Sequence, residues 1–174
     1  MSDSQSELSD PADLFAYDLA AALDMETKLV DALDEMARRV TNDNLEAGFE
    51  IHRNETERQV ELVEETFERL GAEPTRRDNH LVDGLLAERE QFEDRVRDEE
   101  LHNGQYLTVA LTTERIEITT YEGLLRTAES AGFGDDVTEP LTGVLEQERK
   151  THRKLQGLAD GTDGQGLWEK LTEL

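Results

Sequence analysis

Four segments of the chain carry apolar residues at the spacing of an α-helix, and a glutamate interrupts each apolar stripe near its middle. A soluble helix normally fills that stripe with aliphatic side chains. Because burying an isolated carboxylate costs several kcal/mol even after relaxation, such residues need a compensating positive charge. Two divalent metal ions would balance four carboxylates. The stripes therefore predict helices packed around a metal centre, and the four glutamates are Glu26, Glu55, Glu117 and Glu148.

The 174 residues are enough for one domain with a sizeable core. Two predicted helical hairpins are joined by a long crossover that contains a short helix, so we expect an all-α four-helix bundle. The bundle should occupy residues 11–160, after a disordered acidic leader at residues 1–10 and before a tail with a short helix at residues 161–174. The helices are predicted at residues 11–40, 45–70, about 81–96 (the short crossover helix), 103–131 and 135–159.

The formal net charge of −24 excludes the basic face that nucleic-acid binding requires. Only four of the 18 basic residues are lysines. An acidic, lysine-poor surface suits a cytoplasm of very high salt, so we expect a halophilic source, with an ordinary acidic protein as the alternative. No basic, apolar leader and no long apolar run is present, which predicts a cytoplasmic protein that does not enter a membrane. The chain has no cysteine, so metal ligands must be oxygen and nitrogen atoms.

Two helices offer a pair of candidate ligands one turn apart. Residues i and i+4 share a helix face, so Glu55 with Gln59, and Glu148 with His152, are each expected to aim at one point. Glu26 and Glu117, from the other two helices, are expected to bridge two ions, which lie roughly 3.5–4 Å apart in such sites. Carboxylate and imidazole ligands without thiolate favour iron or manganese over copper, and they can also hold zinc.

Further candidates flank these ligands. Glu114 lies one turn before Glu117 and is a candidate fifth carboxylate ligand. If only one of the two faces the core, we expect it to be Glu117. His52 is expected to be either a ligand or a partner that hydrogen-bonds one. Tyr121 and, less strongly, Tyr17 are expected beside the site. Two other histidines are expected at the surface in irregular segments, His80 and His102.

Four segments in this order resemble the YciE/YciF family of ferritin-like proteins, over about residues 13–160. The resemblance implies a ferritin-like four-helix fold, a homodimer, a dinuclear metal site and a link to stress responses. Relative to the common ferritin-like ligand pattern, Gln59 stands where a histidine is usual, and His152 stands where family members often carry an acid. The segments are Asp24–Leu29, His52–Val60, Glu114–Tyr121 and Glu148–Leu155.

The residues and the resemblance together favour redox protection by two iron or manganese ions acting on O2 or H2O2, with ferroxidase- or catalase-like turnover. Glu26 and Glu117 would bridge, and Glu55, Glu148 and His152 would be terminal ligands. Glu117 and Tyr121 are the candidate catalytic residues. One alternative is a metal-binding stress protein without turnover. Another is a metal-free interaction module whose buried acids pair with neighbouring arginines, which are Arg53, Arg58, Arg115 and Arg149.

Overall fold

The computed structural model describes residues 7–160, and within them the secondary structure is entirely helical. Helices α1 and α2 form one hairpin, and α4 and α5 form the other. The contacts of α1 with α4, and of α2 with α5, close the four-helix bundle, while α3 lies in the crossover against α1 and α4. The predicted fold class is therefore confirmed. The helices are α1 Pro11–Arg39, α2 Asp43–Arg69, α3 His80–Glu93, α4 Glu99–Ala131 and α5 Asp135–Ala159.

Two predictions about the chain ends lie outside the described residues: most of the acidic leader, and the tail with its short helix at residues 161–174. In the part of the chain that the structure describes, no helix is long and apolar enough to cross a membrane.

Local capping explains where the helices begin. Asp10 accepts a hydrogen bond from the Asp13 N–H and is followed by proline, as the sequence predicts for a helix start. Helix α4 begins four residues before the predicted 103, because the Asp98 side chain accepts from the Leu101 N–H and two acids follow it in the first turn. It ends at Gly132, whose φ of +76° suits a glycine at a helix terminus.

Pro140 lies inside α5 and cannot donate a backbone hydrogen bond to the carbonyl of Asp136. The guanidinium of Arg69, on α2, donates to that carbonyl instead. The same arginine pairs with Glu65 at 2.7 Å, which holds it in place. Proline is thus tolerated in this helix because a neighbouring helix supplies the missing donor.

Two apolar clusters occupy opposite ends of the bundle. The first is built around Phe15, Leu19 and Leu141. The second is built around Met36 and Phe49, with Tyr106 and Leu155 packed beside them. Between the clusters the inward positions of the four long helices are polar, and this polar layer is the candidate site.

Ion pairs bind the crossover to the bundle. Asp24 is buried and accepts hydrogen bonds from the Arg76 guanidinium at 2.8 Å and from the Asn79 N–H at 2.9 Å. Further along the crossover, buried Arg89 pairs with Glu35 at 2.6 Å. These contacts set the position of α3 outside the four long helices, so the polar layer is formed by the long helices alone.

Candidate metal centre

Four carboxylates meet in the polar layer: Glu26 from α1, Glu114 and Glu117 from α4, and Glu148 from α5. Each has 0% exposed surface. Glu114 is as fully buried as Glu117, so both of them face the core and no choice between them arises. Residues three apart lie on one helix face, and α4 turns that face directly toward the other three helices.

Helix α2 contributes His52 and Gln59, which are 2% and 0% exposed. His52 Nε2 lies 3.1 Å from Glu114 Oε1. One ligand atom from each of four residues falls within 4.8 Å of the others, and these residues are His52, Glu114, Glu117 and Glu148. Metal bonds to nitrogen and oxygen of about 2.0–2.2 Å place ligand atoms up to about 4 Å apart, so small side-chain shifts would allow this group to hold one ion.

Hydrogen bonds between helices orient the remaining acids. The Tyr121 hydroxyl donates to Glu26 Oε1 at 2.5 Å and joins α4 to α1. The Gln59 side-chain amide donates to Glu148 Oε1 and joins α2 to α5. Each of these acids keeps a second oxygen, Glu26 Oε2 and Glu148 Oε2, that is buried and has no hydrogen-bond partner.

Two predicted ligands lie at the edge of this group. Glu55 is half-buried and accepts a 3.4 Å hydrogen bond from the Thr151 hydroxyl. His152 is half-buried too, although its Nε2 atom is shielded from solvent and has no hydrogen-bond partner. One residue along a helix rotates a side chain by about 100°. The core-facing positions of these turns are therefore taken by Thr56 and Thr151, and ligation by Glu55 and His152 stays a prediction.

Three further residues named from the sequence lie outside the polar layer: Tyr17, His80 and His102. Tyr17 does not adjoin the site, because it is 42% exposed and its ring faces the Arg77 guanidinium at 3.6 Å. His102 is not in an irregular segment but in α4, where its ring contacts that of Tyr106. His80 is exposed at the start of α3.

Three of the four arginines named for the metal-free alternative pair with acids outside the layer, and the fourth, Arg115, is exposed. Arg53 pairs with Glu57, and Arg58 pairs with Glu61, both along the outer face of α2. Arg149 reaches Glu122 at 2.7 Å, also at the surface. These three are adjacent in sequence to inward residues but point away, as i±1 positions on a helix must.

Burial sets the protonation of the site. It raises the pKa of Glu26 to about 8, with a further contribution from Glu148. It also raises the pKa of Glu148 to about 7, while hydrogen bonds from Glu114 and Gln59 oppose the rise. Burial and the neighbouring carboxylates raise the pKa of Glu114 and of Glu117 well above the usual value. Without metal, Glu26 therefore retains its proton at neutral pH and Glu148 does so in part, and the pKa values of Glu114 and Glu117 are shifted in the same direction.

His52 is affected in the opposite sense. Burial and the positive charge of Lys154 lower its pKa to about 4, so the imidazole is neutral at physiological pH. A neutral imidazole offers a nitrogen lone pair, the form that binds metal. Carboxylate oxygens without hydrogen-bond partners and a neutral imidazole nitrogen thus fit a divalent ion, which would also remove the cost of burying the acids.

A four-helix bundle with a long crossover and a layer of buried carboxylates and imidazole defines a ferritin-like protein. The chain belongs to the family described as domain of unknown function DUF892, whose model matches residues 10–167. It is 28% identical to protein YciF of Escherichia coli (strain K12) over 148 residues, which are 84% of this chain and 89% of YciF.

Solved structures agree with this assignment. YcfI from Rhodopseudomonas palustris superposes with a TM-score of 0.84 at 28% identity, covering 87% of this chain and 96% of that one. The E. coli stress protein YciF superposes with a TM-score of 0.81 at 27% identity, covering 87% and 95%. A two-domain Anabaena variabilis protein with a ferritin-like domain has a TM-score of 0.61 at 18% identity, over 90% of this chain and 39% of that one, and shows the fold alone.

Proposed function

We propose that the chain is a stress-protection protein that binds two iron or manganese ions in the polar layer and uses them on O2 or peroxide. The observation that carries this proposal is the set of four fully buried carboxylates in the polar layer, three of which are grouped with the neutral His52. Acids in a dry interior are tolerated when cations neutralise them. The similarity to YciF, described as a stress protein, supports the physiological setting.

The geometry favours one ion at His52 and Glu114. The second ion would lie toward Glu26, with Gln59 Oε1 as a neutral oxygen donor. Glu117 and Glu148 are grouped with His52 and Glu114 and would be shared by both ions. The sequence-based prediction gave that shared role to Glu26 and Glu117 instead. Two further predicted ligands take surrounding positions, Glu55 and His152.

When bound, the two ions would supply one-electron steps and would polarise a bound oxygen species. The protein's contribution is to hold the ligands and exclude water. Tyr121 fixes the orientation of Glu26, and Gln59 fixes that of Glu148. The apolar clusters on both sides keep the layer dry, which strengthens electrostatic interactions inside it.

The second candidate function is metal binding in a stress protein without turnover. The specific observation in its favour is that Glu26, Glu114, Glu117 and Glu148 are all fully buried. An oxidant would therefore need the helices to separate locally before it reached the ligands. Turnover and simple binding thus differ in whether such opening occurs.

Metal analysis of protein purified without chelator tests the proposal first, and two iron or manganese ions per chain are expected. Peroxide consumption by the loaded protein follows. Turnover should be lost in Glu117→Gln and retained in Glu129→Gln, an exposed acid of the same helix. Bound metal without peroxide or O2 consumption would leave the second candidate. Protein free of metal that also takes up none on addition would overturn both.

A further inference from the structure

The two ends of the polar layer are not equally prepared for a cation. At one end, one ligand atom from each of four side chains lies within 4.8 Å of the others, and these are His52, Glu114, Glu117 and Glu148. Three carboxyl groups and an imidazole thus converge there already in the protein without metal. Glu55 is half-buried at the edge of the layer and is not in this group.

The other end contains Glu26 and Gln59. Gln59 lies two turns after His52 on α2, toward the apolar cluster that includes Tyr121. The Tyr121 hydroxyl already donates to one oxygen of Glu26, which leaves only Oε2 of that carboxyl group without a partner. The Oε1 atom of Gln59 is buried and without a partner too. This end therefore offers one carboxyl oxygen and one uncharged amide oxygen of its own.

We infer that the two ends bind divalent ions with unequal affinity. The first ion binds at the histidine half-site, which is His52 and Glu114 with the shared Glu117 and Glu148. The second ion binds at the glutamine half-site, Glu26 and Gln59, only when free metal is much more concentrated. This inference rests on the proposed function and specifies its regulation. Both ions bind when metal is plentiful, and a chain short of metal holds one ion and lacks chemistry that needs two.

Ligand charge is the physical reason for the difference. Affinity for a divalent cation depends on the number of charged ligands and on the rigidity of the site. The amide of Gln59 is neutral, and the acids that both ions share are already neutralised in part by the ion that arrives first. Two cations in a region of low dielectric constant also repel each other. Each effect weakens the binding of the second ion.

Titration of the full chain with Mn2+, after removal of metal by chelator and dialysis, tests the inference. Electron paramagnetic resonance distinguishes free Mn2+, isolated bound ions and spin-coupled pairs of bound ions. Up to one Mn2+ per chain we expect isolated bound ions, and the coupled spectrum should grow only beyond that point. The dissociation constant of the second ion should exceed that of the first by at least about a hundredfold.

Gln59→Glu replaces the neutral donor by a carboxyl group of nearly the same shape. It should narrow the difference between the two dissociation constants by at least about tenfold, so that coupled pairs form at lower Mn2+. Gln91→Glu is the matched control, because it adds the same charge on the exposed face of α3 and should leave both constants unchanged. If Gln59→Glu does not fold, Gln59→His supplies an imidazole nitrogen and should act in the same direction.

Two further variants assign the half-sites. His52→Gln should weaken the first ion by at least about tenfold, whereas Glu26→Gln should weaken only the second. Equal affinities for the two ions, coupled pairs at the lowest Mn2+ additions, or a first ion weakened equally by both changes would overturn the inference and leave the proposed function intact. Binding of no Mn2+, or of one ion per chain at any excess, would instead refute the two-ion function and the inference with it.

Discussion

Gln59 on α2 donates its side-chain amide to Glu148 on α5, across 89 positions of sequence. This hydrogen bond joins the two helical hairpins inside the polar layer. It orients one carboxylate oxygen without adding charge, and it leaves Gln59 Oε1 buried and without a hydrogen-bond partner. A glutamine at this position therefore fixes the orientation of Glu148 and also offers an uncharged oxygen that could bind a metal ion.

Removing the hydrogen bond between Gln59 and Glu148 should destabilise the metal-free protein. Gln59→Leu, which is close in volume, would leave a buried carboxyl oxygen of Glu148 without its donor and should lower the free energy of unfolding by about 1–3 kcal/mol. Urea denaturation in chelator measures this loss. Gln147→Leu, at a less buried position of α5, is the control and should change stability little. Equal stabilities for the two variants would mean that the hydrogen bond contributes nothing.

The stability of the metal-free protein should fall between about pH 4.5 and pH 8. The pKa of Glu148 is raised to about 7 and that of Glu26 to about 8, from 4.5 in the unfolded chain. In this range the folded state holds protons that the unfolded state has released. Each such proton lowers the free energy of unfolding by about 1.4 kcal/mol per pH unit.

His52 makes this fall less steep below about pH 6.5 without cancelling it. The pKa of His52 is lowered to about 4 from 6.5, so this residue makes stability rise with pH up to about 6.5 and opposes the acids there. Denaturation at several pH values in chelator measures the slope. Glu148→Gln removes one titrating group and should flatten it, whereas Glu146→Gln, exposed on the same helix, should not. A slope of zero in the unaltered protein would contradict the raised pKa values.

Metal binding at pH 7 should release protons. The pKa values of Glu114 and Glu117 lie well above the usual range, and that of Glu26 is about 8, so a metal ion must displace protons to reach these oxygens. Titration calorimetry in buffers of different ionisation enthalpy counts the protons, and we expect more than one per chain. Release should decrease in Glu114→Gln. Binding without proton release would place the ion elsewhere.

Tyr121→Phe should disturb Glu26 while leaving the core filled. The ring is fully buried, and its hydroxyl donates to Glu26. Deleting the hydrogen bond from the tyrosine hydroxyl to the carboxyl group should raise the pKa of Glu26 further. In chelator it should lower the free energy of unfolding by about 1 kcal/mol or more. Tyr17→Phe is the control, since Tyr17 is half-exposed and remote from the layer. The same loss in both variants would show that the Tyr121 hydroxyl has no specific role.

Asp24→Asn should weaken the attachment of the crossover to α1 without removing any candidate metal ligand. Hydrogen bonds from Lys28, Asn79 and Arg76 lower the pKa of Asp24, although burial opposes them. The substitution removes a buried charge from two cationic partners and should cost about 1–3 kcal/mol. In the unaltered protein this contribution is present above about pH 4 and is lost as pH falls through the lowered pKa. Faster cleavage within residues 72–79 in limited proteolysis would show that the crossover has loosened there.

Much of the fold follows from the sequence because helical periodicity is a local property. The start of α1 at Pro11 and the end of α4 before Gly132 come from capping residues that act on their nearest neighbours. The early start of α4 at Glu99 was missed although Asp98 and the acids after it are the same kind of signal.

The candidate site was predictable only in part. Periodicity identified Glu26, Glu117 and Glu148 as inward residues, and all three are fully buried. It also placed Glu55 in the inward stripe, where the structure has it half-buried, and it ranked Glu114 below Glu117 although both are fully buried. The stripe is wide enough to contain two adjacent rows of residues, and the choice between them depends on the rotation of each helix. His52 was named with two possible roles, ligand or hydrogen-bond partner of a ligand, and its 3.1 Å approach to Glu114 is compatible with both. No sequence signal pointed to the burial of Lys154.

By itself the sequence determined the helices, their pairing into hairpins and the presence of acids at the level of the core. Those features depend on residue spacing and on the free-energy cost of burying charge. The tertiary structure decided which acids converge, which polar side chain holds Glu26 and Glu148, and that Lys154 is buried on the same helix as Glu148. Helix rotation and packing are set by contacts between residues far apart in the chain, such as Glu26 with Tyr121, and local patterns do not encode them.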